Sequence, residues 1–186
     1  MPFAFTPTEL PDVAVVTPRR FHDDRGWFAE TYKASDFMLA GISAEFVQDN
    51  SSLSSAGTLR GLHYQLKPYG QGKLVTVVAG RVWDVAVDIR RSSPTFGRWV
   101  GVELSYDTGD LLWVPPGFAH GFLALEDGTK LTYKCTAEYN KDSERSIRWD
   151  DPELAIQWPQ LAAIAEYRLS EKDSVAPTFR EAEVYP

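Results

Sequence analysis

Two histidines, one tyrosine, one lysine and one arginine stand where chemistry would need them. His63 lies in Leu59-Arg60-Gly61-Leu62-His63-Tyr64-Gln65, and its neighbours Leu62 and Tyr64 mark a strand. Strict alternation puts Leu59 and Gln65 on the face of His63. An imidazole on the inner face of a small barrel is costly unless it is paired or used, so this one is a candidate acid or base. His120 follows Pro115-Pro116-Gly117-Phe118-Ala119, a turn that delivers its ring at the start of an inward strand. Tyr133 shares a face with Leu131 and Cys135 and points inside too. Lys73 opens the run Lys73-Leu74-Val75-Thr76-Val77, and Arg60 precedes His63 by three positions, offering cations for an anionic group. Alternation would set Arg60 and His63 on opposite faces, so a shared site requires a bulge near Gly61. Each residue has a blander reading. A core histidine or tyrosine with one hydrogen bond, or a strand-end cation in solvent, is the commoner outcome for such residues taken singly. His22-Asp23-Asp24, beside Arg25-Gly26, reads as a turn and not as a metal site.

The elements that must position these residues are mostly short strands. Leu74 to Ala79 is a β-branched run, and Gly80-Arg81 is a turn. Trp83, Val85, Val87 and Ile89 then share one face, with Asp84, Ala86 and Asp88 on the other. Val100, Val102 and Leu104 alternate with Gly101 and Glu103. Leu111 to Val114 and Phe122 to Leu125 are further apolar runs, and Asp127-Gly128 marks a hairpin turn. Residues 55 to 140 thus hold at least six strands at a spacing of roughly 10–15 residues, with no helix-length pattern between them. That spacing predicts an all-β chain, an antiparallel sandwich or barrel. One short helix is expected over Ser35-Asp36-Phe37-Met38-Leu39-Ala40-Gly41, with Ser35 as N-cap and Gly41 as its stop. After Asp150, short helices and loops surround Trp149, Trp158 and Pro159. The expected organisation is one domain over residues 1–186. Its core strands span about 45–140, with an N-terminal arm and the C-terminal segment packed on them.

Composition narrows the function classes. The 186 residues include 19 basic and 26 acidic side chains, a net charge of −7, which argues against broad electrostatic binding to nucleic acid or anionic lipid. A local basic pocket for one small anion remains compatible with it. The single cysteine, Cys135, excludes an internal disulfide framework and a Cys-rich zinc site. No apolar run is long enough for a membrane helix. The first residues, with Pro2, Pro7, Pro11 and Pro18, lack the apolar core of a secretory signal, so a cytoplasmic protein is expected. Phosphate-loop, dinucleotide, nucleophile-elbow and His-Glu-x-x-His patterns are absent from the sequence.

Seven strings, in order, carry a resemblance: FHDDRGWFAETY (21–32), QDNSSLSSAGTLRGLHYQ (48–65), QGKLVTVVAGRVWDVAVDIRRSSPTFGRW (71–99), LWVPPGFAHGF (112–122), YKCTAEY (133–139), WDDPELAIQWP (149–159) and LSEKD (169–173). Together they closely resemble the dTDP-4-dehydrorhamnose 3,5-epimerase family. The resemblance implies a cupin-type jelly roll, usually a homodimer, acting without a cofactor on a nucleoside-diphosphate 4-keto-6-deoxy sugar to invert carbons 3 and 5 for rhamnose synthesis. It implies His63 as base, Asp173 as the carboxylate that orients it, Tyr133 as acid and Lys73 as the cation near the enolate oxygen. It places Arg25, Glu30, Gln48, Asn50, Arg60, His120, Glu144 and Lys172 around nucleotide, diphosphate or sugar, with Tyr139 and the Trp27-Phe28 pair as candidates to stack on thymine. In the family some nucleotide contacts cross the dimer from the N-terminal segment, so Arg25 and Glu30 are candidates to serve the partner's site. Metal cupins carry a His-x-His pair, whereas Gln65 stands where the second histidine would be, so no metal is expected. The alternatives are an epimerase of carbon 3 or carbon 5 alone, a metal-dependent cupin enzyme, and a non-catalytic binding cupin.

Overall fold

The computed structural model describes residues 2–186. Thirteen strands and two short helices follow one another: β1 (Phe3–Pro7), β2 (Ala14–Pro18), β3 (Phe21–Asp23), β4 (Gly26–Phe28), α1 (Ala34–Leu39), β5 (Gln48–Ser54), β6 (Leu59–Gln65) and β7 (Lys73–Ala79). They continue with β8 (Arg81–Asp88), β9 (Trp99–Ser105), β10 (Leu111–Val114), β11 (Phe118–Ala124), β12 (Thr129–Cys135), β13 (Glu144–Ser146) and α2 (Glu171–Ser174). A six-stranded sheet, β1-β2-β10-β7-β12-β5, faces a five-stranded sheet, β13-β6-β11-β8-β9, and β3 and β4 form a separate hairpin. All pairings between these strands are antiparallel. The fold is the jelly roll of the expected all-β, cupin class.

Alternation sorts the side chains into three cores. Val75, Val77, Leu112, Val114 and Leu131 meet Val82, Ala86, Leu104, Phe118 and Phe122 between the sheets. The other face of the five-stranded sheet is covered as well. Leu62, Tyr64, Val85, Val87, Ile89 and Leu123 pack there against Ile147, Leu154, Ile156, Trp158, Phe179 and Tyr185 from the C-terminal segment. Burial on both faces is why all seven residues of β11 are buried and why its sequence reads apolar except at His120. A third cluster sets Phe37, with Tyr32 and Phe46 beside it, onto Leu74, Leu111 and Trp113 on the outer face of the six-stranded sheet.

Several expectations need correction. The first helix begins at Ala34 with Lys33 as N-cap and no side-chain cap, so Ser35 lies inside the helix. Gly41, at φ +86°, does sit past its end, where a residue without Cβ reverses the chain cheaply. The N-terminal arm, expected to pack on the core strands, does so by adding β1 and β2 to the six-stranded sheet beyond β10. After Asp150 the described residues contain one helix, the single turn α2. Leu59 does not share the face of His63. It packs in the outer core with Leu62 and Tyr64, because the strand changes phase between them.

That phase change is the bulge that a shared Arg60–His63 site requires. On β11, His120 pairs with His63 and Phe122 pairs with Arg60, so two steps on one strand oppose three on the other. Gly61 occupies φ +136°, and a Cβ there would lie 2.5 Å from Gly121 Cα. A Cβ on Gly121 would in turn lie 2.8 Å from Arg60 O. Two glycines back to back therefore let the strands close around the extra residue, and Arg60 turns to the same side as His63.

Candidate active site

A cavity of about 450 Å³ opens between the sheets, and ten of the residues expected to form a site line it. His63 and Arg60 come from β6, His120 from β11, Lys73 from β7 and Tyr133 from β12. Gln48 and Asn50 come from β5, Glu144 from β13, Tyr139 from the loop before it, and Asp173 from α2. Inward alternation explains the set. Lys73 continues the face of Val75 and Val77, and Tyr133 that of Leu131.

His63 and Asp173, 110 positions apart, meet at 2.5 Å between Nε2 and Oδ1. Asp173 is 2% exposed. Ser170, the N-cap of α2, donates its hydroxyl to Asp173 Oδ2 at 2.8 Å and accepts the Asp173 backbone N–H at 3.1 Å. Burial alone would raise the Asp173 carboxyl. The hydrogen bonds from His63 and Ser170, with the charges of His63 and Lys172, outweigh it and hold the group below the ordinary carboxylate value.

A second histidine–carboxylate pair forms the floor, His120 Nε2 to Asp84 Oδ1 at 2.8 Å, with Asp84 fully buried. Asp84 was no candidate from sequence. The signal was its place: alternation on β8 sets Asp84 beside Ala86 on the inward face, where a carboxylate demands a partner.

Lys73 is buried and donates to His63 O at 3.3 Å. Burial lowers its ammonium from the ordinary lysine value, while Cys135, Asp84 and Glu144 pull it back up and Lys172 pushes it further down. Tyr133 moves the other way. Burial pushes its hydroxyl up, opposed by Asn50 and the Arg60 charge. Both shifts stem from the same desolvation, which disfavours a charged ammonium and a charged phenolate alike.

The mouth is polar. Glu144 takes Lys172 Nζ at 2.5 Å and the Tyr139 hydroxyl at 3.1 Å. Burial opposes ionisation of Glu144, but Lys172 and Tyr139 hold its carboxyl below the ordinary value. Gln48 accepts the Tyr139 backbone N–H at 2.8 Å and donates to Asn50 at 3.0 Å. Tyr139 itself is exposed. Gln65 bonds Tyr69 O, Glu138 O and the Asn140 N–H, so it ties down the loops beside the cavity. Among the described residues no three His, Cys, Asp or Glu side chains converge as metal ligands, and no helix is long and apolar enough to cross a membrane.

Arg25, Glu30, Trp27 and Phe28 are not brought to this cavity. Arg25 pairs with Asp23 on the β3–β4 hairpin, all six strand residues of which are exposed. Trp27 rests instead against Arg20 and Tyr106.

The family model for dTDP-4-dehydrorhamnose 3,5-epimerase matches residues 7–181. A dTDP-4-dehydrorhamnose 3,5-epimerase from Shigella flexneri is 50% identical over 179 residues, 96% of this chain and 97% of that protein. The crystal structure of dTDP-6-deoxy-D-glucose-3,5-epimerase from Legionella pneumophila, in complex with dTDP-4-keto-L-rhamnose, superposes with a TM-score of 0.91 at 46% identity and covers 96% of this chain and 94% of that one. A 3'-monoepimerase from Streptomyces bikiniensis, in complex with dTDP-quinovose, shares the fold at 34% identity and a TM-score of 0.87, over 94% of this chain and 87% of that one.

Proposed function

The chain belongs to the dTDP-4-dehydrorhamnose 3,5-epimerase family, and on that premise we propose that its cavity inverts carbons 3 and 5 of dTDP-4-dehydro-6-deoxy-D-glucose on the way to dTDP-L-rhamnose. One observation carries the assignment of roles. His63 and Tyr133 stand on opposite sheets, facing each other across the cavity. Inversion requires that a proton leave one face of the sugar ring and another arrive on the opposite face, and two opposed walls supply those faces.

The ketone at carbon 4 acidifies the protons on carbons 3 and 5. His63 takes one of them, and Asp173 stabilises the imidazolium that forms. The electron pair moves onto the carbon-4 oxygen, where the Lys73 ammonium meets the developing charge. Tyr133 then delivers its proton to the far face of the carbon, and solvent exchange returns both side chains to their starting states. Each positioned acid or base of this kind is worth about 10²–10⁴ in rate. The reaction as written uses no cofactor and no metal.

Arg60 and Lys172 supply the local cations for the diphosphate that the net charge conceals, His120 contacts the substrate from the cavity wall, and Tyr139 offers an exposed ring for the base. Arg25 and Glu30, on and just beyond an exposed hairpin, act in the cavity of a partner subunit in a homodimer. The protein works in the cytoplasm, where Cys135 stays reduced.

Proton NMR of dTDP-4-keto-6-deoxyglucose with the protein in deuterium oxide tests this reading. Loss of the signals at both carbons is expected. Loss at one carbon would make it a mono-epimerase, and no exchange would overturn the assignment.

A further inference from the structure

We propose that Ser170 is a positioning residue for the proton abstraction, locking the Asp173 carboxylate in the one orientation that serves His63; this rests on the reading of His63 as the base. The argument is a count of donors. A serine hydroxyl has one hydrogen to give and lone pairs to receive. The Asp173 backbone N–H occupies a lone pair of Ser170 Oγ at 3.1 Å, so the hydroxyl hydrogen is free for Asp173 Oδ2 at 2.8 Å. That leaves Oδ1 directed at His63 Nε2 at 2.5 Å. A carboxylate held at only one oxygen can pivot about its terminal torsion, which is broad. One held at both oxygens cannot.

The second pair on the cavity floor is the internal comparison. Asp84 meets His120 through Oδ1, but among the described residues its buried Oδ2 finds no hydrogen-bond donor. The two histidines sit directly opposite each other on β6 and β11. Only the carboxylate behind His63 carries the second lock, at a cavity-lining serine that also caps the helix bearing that carboxylate. Capping and locking are separable tasks. An aspartate at position 170 still caps the helix, because its carboxylate accepts the backbone N–H. Once ionised it has no hydrogen for Asp173 and repels it.

The test compares Ser170→Ala, Ser170→Thr and Ser170→Asp in the full chain. The readouts are kcat, KM, melting temperature and the downfield proton resonance of His63 Nε2–H in the free protein. Ser170→Ala is expected to lose about ten-fold in kcat, with KM within about two-fold, and to shift that resonance. Ser170→Thr, which keeps a hydroxyl, restores kcat to within about two-fold of the starting protein. Ser170→Asp loses at least as much kcat as Ser170→Ala, with a lowered melting temperature from its repulsion of the buried Asp173 carboxylate. A full rate in Ser170→Ala or Ser170→Asp, a loss confined to KM, or equal losses in the Thr and Ala variants would overturn the proposal. Should Ser170→Asp fail to fold, the Ala and Thr pair decides on the same readouts. The resonance needs no substrate, so failure of the epimerase reading would show separately, as an unmodified chain that exchanges no deuterium.

Discussion

At the scale of the residue, desolvation sets the working range of the site. In the proposed reaction Lys73 serves as a cation, and burial lowers its ammonium below the ordinary value of 10.5. A group with a lowered pKa loses its proton earlier as pH rises. The enolate stabilisation proposed for Lys73 is therefore lost, as pH rises, before the usual lysine range is reached. The groups facing Lys73 are Cys135 across β12, Asp84 on β8, Glu144 on β13 and Lys172 on α2. Burial pushes the Cys135 thiol up to about 11, so it stays neutral over most of that range. The Tyr133 hydroxyl is raised as well and keeps its proton. The alkaline limb of kcat/KM is thus expected below pH 10.5 and assigned to Lys73. Lys73→Arg, whose guanidinium does not deprotonate, should move the limb to higher pH at a lower kcat. A limb left in place would clear Lys73 of it.

At the scale of the element, the bulge in β6 decides which side chains share the cavity. Were Gly61 a regular strand position and not a bulge, alternation counted from His63 would turn Arg60 to the outer face, where Leu59 and Leu62 pack. Gly61→Ala brings a Cβ to 2.5 Å from Gly121 Cα, a contact with backbone that no rotamer change relieves, at a φ that L residues rarely adopt. The expected outcome is a loss of about 1–3 kcal/mol in stability together with a fall in activity. The control is Gly128→Ala. Its φ is positive too, but nothing lies within 4 Å of the new Cβ, so it should cost stability and leave kcat alone. Denaturation midpoints and kcat on the two variants check both statements. Equal kcat losses would show that backbone strain in general, not the bulge, limits turnover.

At the scale of the whole molecule, the cavity of one chain does not hold every residue that the family resemblance assigns to it. The β3–β4 hairpin projects Phe21, Trp27 and Phe28 into solvent at 46%, 41% and 67% exposure, with Arg25 at its tip and Glu30 just beyond it. If a partner subunit's cavity receives that hairpin, each site combines two chains. Arg25→Ala and His63→Ala homodimers should each be nearly inactive. Mixed after dissociation and reassociated, they should regain about a quarter of full activity, because half the dimers are mixed and each of those has one intact site. No recovery on mixing, with exchange of subunits verified by mass, would confine every site to a single chain.

Part of this was legible along the chain. Period-two alternation is local to a strand, so the all-β class, the inward direction of His120 and Tyr133 and the turns at Gly80 and Gly128 could all be read from neighbouring residues. The motif strings carried the roles proposed for them. The tertiary structure alone decided the pairings. His63 finds Asp173 across 110 positions and His120 finds Asp84 across 36, through closure of chain segments that leave no periodic trace. It also decided that Arg60 and His63 face the same way. The phase slip depends on Gly61 meeting Gly121 on a neighbouring strand, a contact between backbones that no alternation within β6 encodes. Finally it set the hairpin bearing Arg25 apart from the cavity, since a short strand pair with every residue exposed has no face to bury within its own chain.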